Sequence, residues 1–392
     1  MQVSDQSILV DGARFHLVWL RDNCLCPACQ DAGTAQKLFD ITATQLAPRL
    51  RGSELGPDAL RLVWDEDPPH QSRYPRAWLR RHAYDPPRTV PAAAIRLWER
   101  STPDLPPPRR AADPAWREDL LQFGFALLTG LDAGGFADLL RAAGPVTPTE
   151  FGPIAPLQAK PDANDLGETG TMLDPHTDYT VYMQFPPVIG FLHCLHNQSD
   201  GGASILVDGF AAAEHLRRED PDAFARLVRT PLPFHQLYPR WRFHHLRLRP
   251  MIELDDAGSV RGIHVGHPHT RNWSLPFADM VPTYAAYASF IRLLNDPARQ
   301  FRHRLEPGEC LAYQNERVLH GRTGFSPASG DRHLQIAYVN WSYLTARRRF
   351  DSGVYRELAL ESPSACPGEV ETGSPRQDTR QRSGESKRAN VT

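Results

Sequence analysis

Apolar and polar positions alternate with a period of two through much of the second half of the chain. In Asp331–Trp341 (DRHLQIAYVNW) this alternation places Arg332, Leu334, Ile336, Tyr338 and Asn340 on one face of a predicted strand. PPVIGFLHCLH, at 186–196, reads as a buried strand, and the turn GGAS at 201–204 leads into another, SILVDGF. Near the start, Ser7–Leu20 reads as two strands joined at Asp11-Gly12, a strong hairpin signal. Helical spacing marks Pro75–His82, WREDLLQFG at 116–124, the region around GFADLLRAAG at 135–144, and Thr283–Leu294, with FALLTG as a strand between the second and third. Ala211–Val228 is also helical, with Asp220-Pro221 able to start a second helix. The expected fold is mainly β with flanking helices.

Proline runs from Asp85 to Arg110 with little apolar periodicity, which predicts a linker. The expected organisation is an N-terminal domain over 1–90, a linker over 91–113, a larger domain over 114–352 and a tail over 353–392. No aromatic residue follows Tyr355 and the last segment is rich in Ser, Gly, Arg and Glu, so the tail is expected to be disordered. Of the 392 residues 41% are hydrophobic, enough for a sizeable core, and the formal charge of −2 argues against bulk affinity for nucleic acid or anionic membrane. No stretch approaches the ~20 apolar residues of a membrane helix. A soluble, cytoplasmic protein is the expectation.

The chemistry concentrates in a few places. His176-Thr177-Asp178 spaces an imidazole and a carboxylate two apart, so that on extended chain both project to one side. His320, in Val318–Arg322, offers a second imidazole, and together they make a 2-His-1-carboxylate set suited to iron(II) with open positions for oxygen and a co-substrate. Strand parity turns Arg332 inward beside this set, where a guanidinium requires an anion, best a carboxylate held bidentately. A keto-dicarboxylate chelating iron at one end and salt-bridged at the other answers both demands. Separately, Cys24, Cys26 and Cys29 have the density of a zinc thiolate site that needs a fourth ligand, or they are plain loop cysteines, reduced or disulfide-linked. His193 and Cys194 read as core residues, Arg240–Arg249 as a solvated strand face, and His264, His267 and His269 as loop histidines with no carboxylate beside them.

WLRDNC at 19–24, AWLRRH at 77–82, HTDY at 176–179, LHC at 192–194, GGAS and VDGF within 201–210, LHGR at 319–322 and RHLQIAY at 332–338 occur in one order. In these motifs the chain resembles the gamma-butyrobetaine hydroxylase-like family of Fe(II)/2-oxoglutarate oxygenases, relatives of trimethyllysine hydroxylase and taurine dioxygenase. The resemblance implies a double-stranded β-helix (jelly-roll) catalytic domain behind a small zinc-binding domain. It implies hydroxylation of an unactivated C–H by O2, with 2-oxoglutarate converted to succinate and carbon dioxide. His176, Asp178 and His320 would hold iron, Arg332 and Ser204 would hold 2-oxoglutarate, and Tyr338, Tyr179 and Tyr182 would face the substrate. His82 would complete the zinc site, with His70 as the alternative. The implied substrate is a small trimethylammonium zwitterion, gamma-butyrobetaine first, with trimethyllysine, a trimethylammonio-phosphonate or an unrelated small acid as variants, and the implied assembly is a homodimer. Two features depart from the pattern: the 150–172 loop offers a single aromatic, Phe151, toward an aromatic cage, and His267-Pro268 stands where the family carries an Asn-Asn pair. Two other readings stay open, a zinc hydrolase using the same triad and a non-catalytic metal-binding protein.

Overall fold

The computed structural model describes residues 1–43, 47–85, 95–163, 165–182 and 187–351. The 353–392 segment, expected as a tail, lies outside the described residues. The described chain forms two compact units, one over Met1–Thr89 and one over Val90–Ser352.

In the second unit, period-two alternation becomes two principal sheets, antiparallel except where Arg109–Arg110 joins the edge. A seven-stranded sheet runs Ala155–Leu157, Arg332–Asn340, Val188–Asn197, Cys310–Gln314, Phe125–Thr129, Arg109–Arg110, with Val146–Thr147 also paired to Arg332–Asn340. A four-stranded sheet runs Leu173–His176, Val318–Arg322, Ser204–Asp208, Phe301–His303. Alternate residues divide between layers as the pleat requires. Phe125, Leu127, Leu311, Tyr313 and Leu334 of the first sheet meet Leu206 and Val318 of the second in one buried cluster. Their neighbours Ala126, Leu128, Cys310, Ala312, Ala337 and Val339 turn outward to pack under helices Trp116–Phe123 and Ala133–Ala143. Ile205, Val207 and Leu319 of the smaller sheet do the same toward helices Gly209–Glu219, Pro221–Arg229 and Phe277–Asn295. This is the double-stranded β-helix with helical flanks.

Local signals explain the element ends. Asp132 accepts a hydrogen bond from Gly135 N at 2.7 Å and Asp220 one from Ala223 N at 2.9 Å, so each caps the helix it precedes. The last predicted helix starts earlier than its spacing suggested, at Phe277, with Pro282 inside it. The proline-rich segment is no free linker over its described part. Trp98 is buried, its Nε1 donates to Phe123 O at 2.7 Å, and Arg109–Arg110 pairs in parallel with Phe125–Thr129. Proline leaves few backbone donors to satisfy, and one large aromatic supplies enough apolar surface to hold such a segment down.

The first unit holds two three-stranded sheets, Gln2–Val3, Ser7–Val10, Ala13–His16 and Leu50–Leu55, Ala59–Trp64, His70–Pro75. The hairpin turns at Asp11 and Gly12, both at positive φ, as Asp-Gly predicts. The second strand stops at His16 rather than Leu20, because Leu17 and Leu20 lie three apart on one buried face of helix Leu17–Asp22. Among the described residues no helix is long and apolar enough to cross a membrane.

One buried ion pair ties the second unit together. Arg317 and Asp208 are both essentially unexposed. Their side chains meet at 2.9 and 3.2 Å, and the guanidinium also donates to Gln122 O and Arg96 O at 2.8 and 2.7 Å. Arg317→Met strands a carboxylate in the core and is expected to cost about 3–5 kcal/mol in equilibrium urea unfolding. A loss below about 1 kcal/mol would contradict this role.

Candidate active site and metal centre

His176 and His320 are brought together by sheet register. Strand Leu173–His176 pairs with Val318–Arg322 so that His176 stands directly opposite His320, with ring centroids 4.4 Å apart. Asp178 follows just past the strand end. Asn315 fixes it by accepting from its N–H at 2.9 Å and donating to its carbonyl at 3.0 Å. The carboxylate then lies between the imidazoles, Oδ1 3.4 Å from His176 Nε2 and Oδ2 3.2 Å from His320 Nε2. One donor atom from each of the three residues falls within 4.8 Å of the others. His176 Nδ1 hydrogen-bonds Asp174 O at 2.9 Å, which leaves Nε2 unprotonated toward the centre in the neutral ring. Burial alone would raise the Asp178 carboxyl, yet the charge of His320 and a hydrogen bond from His176 hold it well below the ordinary carboxylate range. A buried anion between two imidazole nitrogens is a donor set that fits a divalent transition metal. Tyr313 backs His320, centroids 4.4 Å apart, and the absence of a side chain at Gly190 makes room for it, since a Cβ there would lie 2.4 Å from the Tyr313 ring.

Arg332, Leu334, Ile336 and Tyr338 all line the same cavity of about 170 Å³, as strand parity predicts. Arg332 is 7% exposed, and its Nε has no hydrogen-bond partner among the described residues. Its guanidinium lies over the Phe325 ring at 4.8 Å, and one Nη reaches Gly202 O at 3.4 Å. A Cβ at Gly202, which has φ +68, would come within 2.8 Å of that Nε. Burial lowers the Arg332 pKa, the mark of a cation short of a counter-charge, and a carboxylate entering the cavity would supply one. Ser204 is buried on the cavity wall, across the sheet from Arg322. Arg322 is partnered differently: its Nε has no hydrogen-bond partner among the described residues either, but its two terminal nitrogens hold the carbonyls of Leu166, Gly167, Thr169 and Thr171, fastening one cavity wall.

Tyr338 does more than present a ring. Its hydroxyl donates to Asp178 Oδ2 at 2.6 Å, while its ring stands perpendicular to that of Tyr179 with centroids 5.0 Å apart. Tyr182 packs on Tyr179 at 5.4 Å. Phe151 also lines the cavity, joined by Tyr238 and Gln236, neither of them picked out from the sequence, and by His269, expected there as a loop histidine. Arg240–Arg249 is a largely exposed strand face, as expected, and it is the partner strand of its hairpin, Leu232–Tyr238, that carries cavity residues. His264, just past strand Val260–Ile263, does have a carboxylate beside it: it is buried 3.2 Å from Glu253 Oε1, which Arg249 also holds at 2.9 Å. Strand pairing supplies the carboxylate that sequence proximity lacked.

In the first unit, Cys24, Cys26 and Cys29 converge on His70 and not on His82. His70 Nε2 lies 3.2, 3.7 and 3.6 Å from the three sulfurs. His82 instead turns back on its own helix, Nδ1 bonding Trp78 O at 2.8 Å with its ring 4.4 Å from that of Trp78. Parity explains the choice. His70 and Ser72 share a face of strand His70–Pro75, and Ser72 donates to Cys24 at 3.0 Å. Hydrogen bonds from Cys24 and Cys29 pull the Cys26 thiol strongly down, and the bond to Cys26 raises His70 to about 9. Three sulfurs and one imidazole, closed and buried, fit structural zinc.

Residues 89–338 match the family described as taurine catabolism dioxygenase TauD, TfdA family, and residues 8–80 match gamma-butyrobetaine hydroxylase-like, N-terminal. A protein of Pseudomonas sp. (strain AK-1) named gamma-butyrobetaine dioxygenase is 34% identical, spanning 85% of this chain and 89% of its own. The Homo sapiens protein of the same name is 29% identical over the same shares. A Meyerozyma guilliermondii protein named trimethyllysine dioxygenase is 28% identical, spanning 84% of this chain and 88% of its own.

The cysteine cluster generates a prediction that separates its two candidate histidines. Protein carrying His82→Ala is expected to retain its zinc after dialysis against a mild chelator, whereas His70→Ala loses it, as read by elemental analysis. Zinc lost from the His82 variant and kept by the His70 variant would contradict the geometry.

Proposed function

As this chain belongs to the TauD, TfdA family and is an iron(II)- and 2-oxoglutarate-dependent dioxygenase, we propose that it hydroxylates an unactivated C–H of a small trimethylammonium acid, gamma-butyrobetaine first. In this reading His176, Asp178 and His320 hold the iron, which when bound supplies the activation of O2 that is coupled to oxidative decarboxylation of the keto acid. The remaining work falls to side chains. Arg332 takes the distal carboxylate of 2-oxoglutarate through its unpartnered edge, and Ser204 stands on the same wall as a further contact. Tyr338, by donating to Asp178 Oδ2, fixes the rotamer in which the carboxylate lies between its two imidazole neighbours. Leu192, Leu334 and Ile336 give the cavity an apolar wall that excludes water from the reacting carbon. The cysteine cluster with His70 is a structural zinc site in this account. The homodimer expected from the sequence resemblance is part of the same proposal, which sedimentation would test.

The observation that carries the substrate reading is the pair of perpendicular tyrosine rings, Tyr179 and Tyr338, standing beside the triad on the cavity wall. A quaternary ammonium has no hydrogen to donate and is held by ring faces, at ~2 kcal/mol or more when desolvated. The names of the relatives support the same class. Iron-loaded protein offered a panel of trimethylammonium acids, with succinate and hydroxylated product both measured, tests it; coupled turnover of gamma-butyrobetaine is expected, and failure of every ammonium acid would overturn the reading.

Three substitutions test the assigned roles. Asp178→Ala is expected to abolish succinate formation without shifting the urea midpoint, and Arg332→Met to raise the KM for 2-oxoglutarate roughly thirtyfold to a hundredfold through loss of a charged bidentate pair. Tyr338→Phe keeps the ring and removes the hydroxyl, so kcat should fall while the substrate KM holds; Tyr338→Leu should raise that KM about thirtyfold as well. Equal KM values for the Phe and Leu variants would remove the ring from substrate binding.

A further inference from the structure

Of the carboxylates on the wall of the triad cavity, Asp178 belongs to the metal set and Glu168 pairs with Lys160 at 2.6 Å. Asp165 has neither role. It lines the cavity half-buried, and its Oδ1 accepts from Gly167 N at 2.7 Å, which anchors the side chain at the turn Leu166–Glu168. Among the described residues it forms no ion pair, and Arg322, on which its charge acts, donates instead to the carbonyls of Leu166, Gly167, Thr169 and Thr171. The same charge reaches His176, Tyr238 and His269, which line the cavity with it. Two other groups on the wall offer acceptors. His269 Nδ1 meets His235 O at 2.9 Å; a carbonyl only accepts, so Nδ1 carries the proton, and in the neutral ring that burial favours Nε2 is a bare acceptor. Gln236 Nε2 donates to Glu150 and to the Tyr238 hydroxyl, and its carbonyl oxygen is the end with no partner among the described residues.

Asp165, His269 and Gln236 thus present acceptors and one negative charge, with their own N–H groups turned elsewhere. A trimethylammonium group has no N–H to give them. A primary ammonium has three, and a charge that meets the carboxylate. We propose that Asp165, backed by His269 and Gln236, receives a primary ammonium on the substrate, so that the trimethylammonium acid bound best also carries an amino group beside its carboxylate. The inference rests on the trimethylammonium reading above and deepens it by adding a second recognition element. Gamma-butyrobetaine meets the tyrosine rings alone and remains a substrate, with a higher KM than its α-amino derivative. Asp165 works in both directions, because an unpaired carboxylate attracts an ammonium and repels the acid group of a plain betaine. It is the residue that decides between a betaine and a trimethylammonium amino acid.

Two matched pairs test this on the iron-loaded protein: gamma-butyrobetaine against its α-amino derivative, and trimethyllysine against its deaminated analogue. Within each pair only the amino group differs. In at least one pair the amino member should show a KM about tenfold lower, and N-acetylation, which removes the charge, should abolish the advantage. Asp165→Asn keeps an oxygen to accept from Gly167 N and removes the charge. It should raise the KM of the amino member about tenfold and lower that of the plain betaine, both changes shrinking as salt is added. Anaerobic calorimetry on protein loaded with iron and 2-oxoglutarate should give the same ratios in Kd, which separates recognition from turnover. The wild-type comparison stands whether or not the variant folds. Equal KM values within both pairs, or a folded Asp165→Asn protein that keeps the wild-type preference, overturn this inference and leave the trimethylammonium reading standing. Wild-type protein that turns over no trimethylammonium acid overturns both.

Discussion

The pairing of two short strands decides what this protein can do. When Leu173–His176 lies antiparallel to Val318–Arg322, the two histidines face each other across one rung of the ladder, although the chain separates them widely. Asp178, just beyond the strand end, swings into the gap because Asn315 holds its backbone from both sides. A register slip of one residue would turn His320 to the opposite face of its sheet, where Leu319 now packs into the helical layer. The donor set is thus as well fixed as the apolar alternation around it, and the core is what enforces the geometry.

Around that rung the fold leaves charge deliberately unmatched. Arg332 is buried with an unpartnered Nε, while nearby Arg317, equally buried, is matched in full by Asp208 and two carbonyls. The contrast separates a structural guanidinium from one that awaits a ligand, since an unsatisfied buried cation costs stability that only a binding partner recovers. Arg322, between the two cases, spends its donors on the 166–171 carbonyls and so builds the wall on which a co-substrate would rest. The zinc-like cluster in the first unit is closed in the opposite manner, with Ser72 and Arg21 donating to its sulfurs.

Much of this was legible in the sequence because period-two alternation and inward-facing polar residues obey the same rule. Parity alone put Arg332 and Tyr338 on one face, and the His-x-Asp spacing with a distant His gave the triad. What escaped was whatever depended on how remote segments meet. His70 outranks His82 because the strand that carries it passes over the cysteines, a fact of tertiary approach that the AWLRRH motif does not contain. Asn315, Tyr238 and Glu253 act across strand pairings, and nothing in their own neighbourhoods announces a partner. The Trp98 anchor was hidden by the prolines around it, whose local preference for extended chain is the same in a free linker and in one pressed onto a core.

The central claim is that the triad and Arg332 form one site for iron and a keto-dicarboxylate. Anaerobic titration of the iron(II)-loaded protein with 2-oxoglutarate, followed by visible absorption, tests it most directly, because chelation of iron by the keto acid produces a metal-to-ligand charge-transfer band. The account predicts a band that saturates at a single equivalent of 2-oxoglutarate and is absent when iron is withheld. Iron-loaded protein that gives no band at saturating 2-oxoglutarate would contradict it.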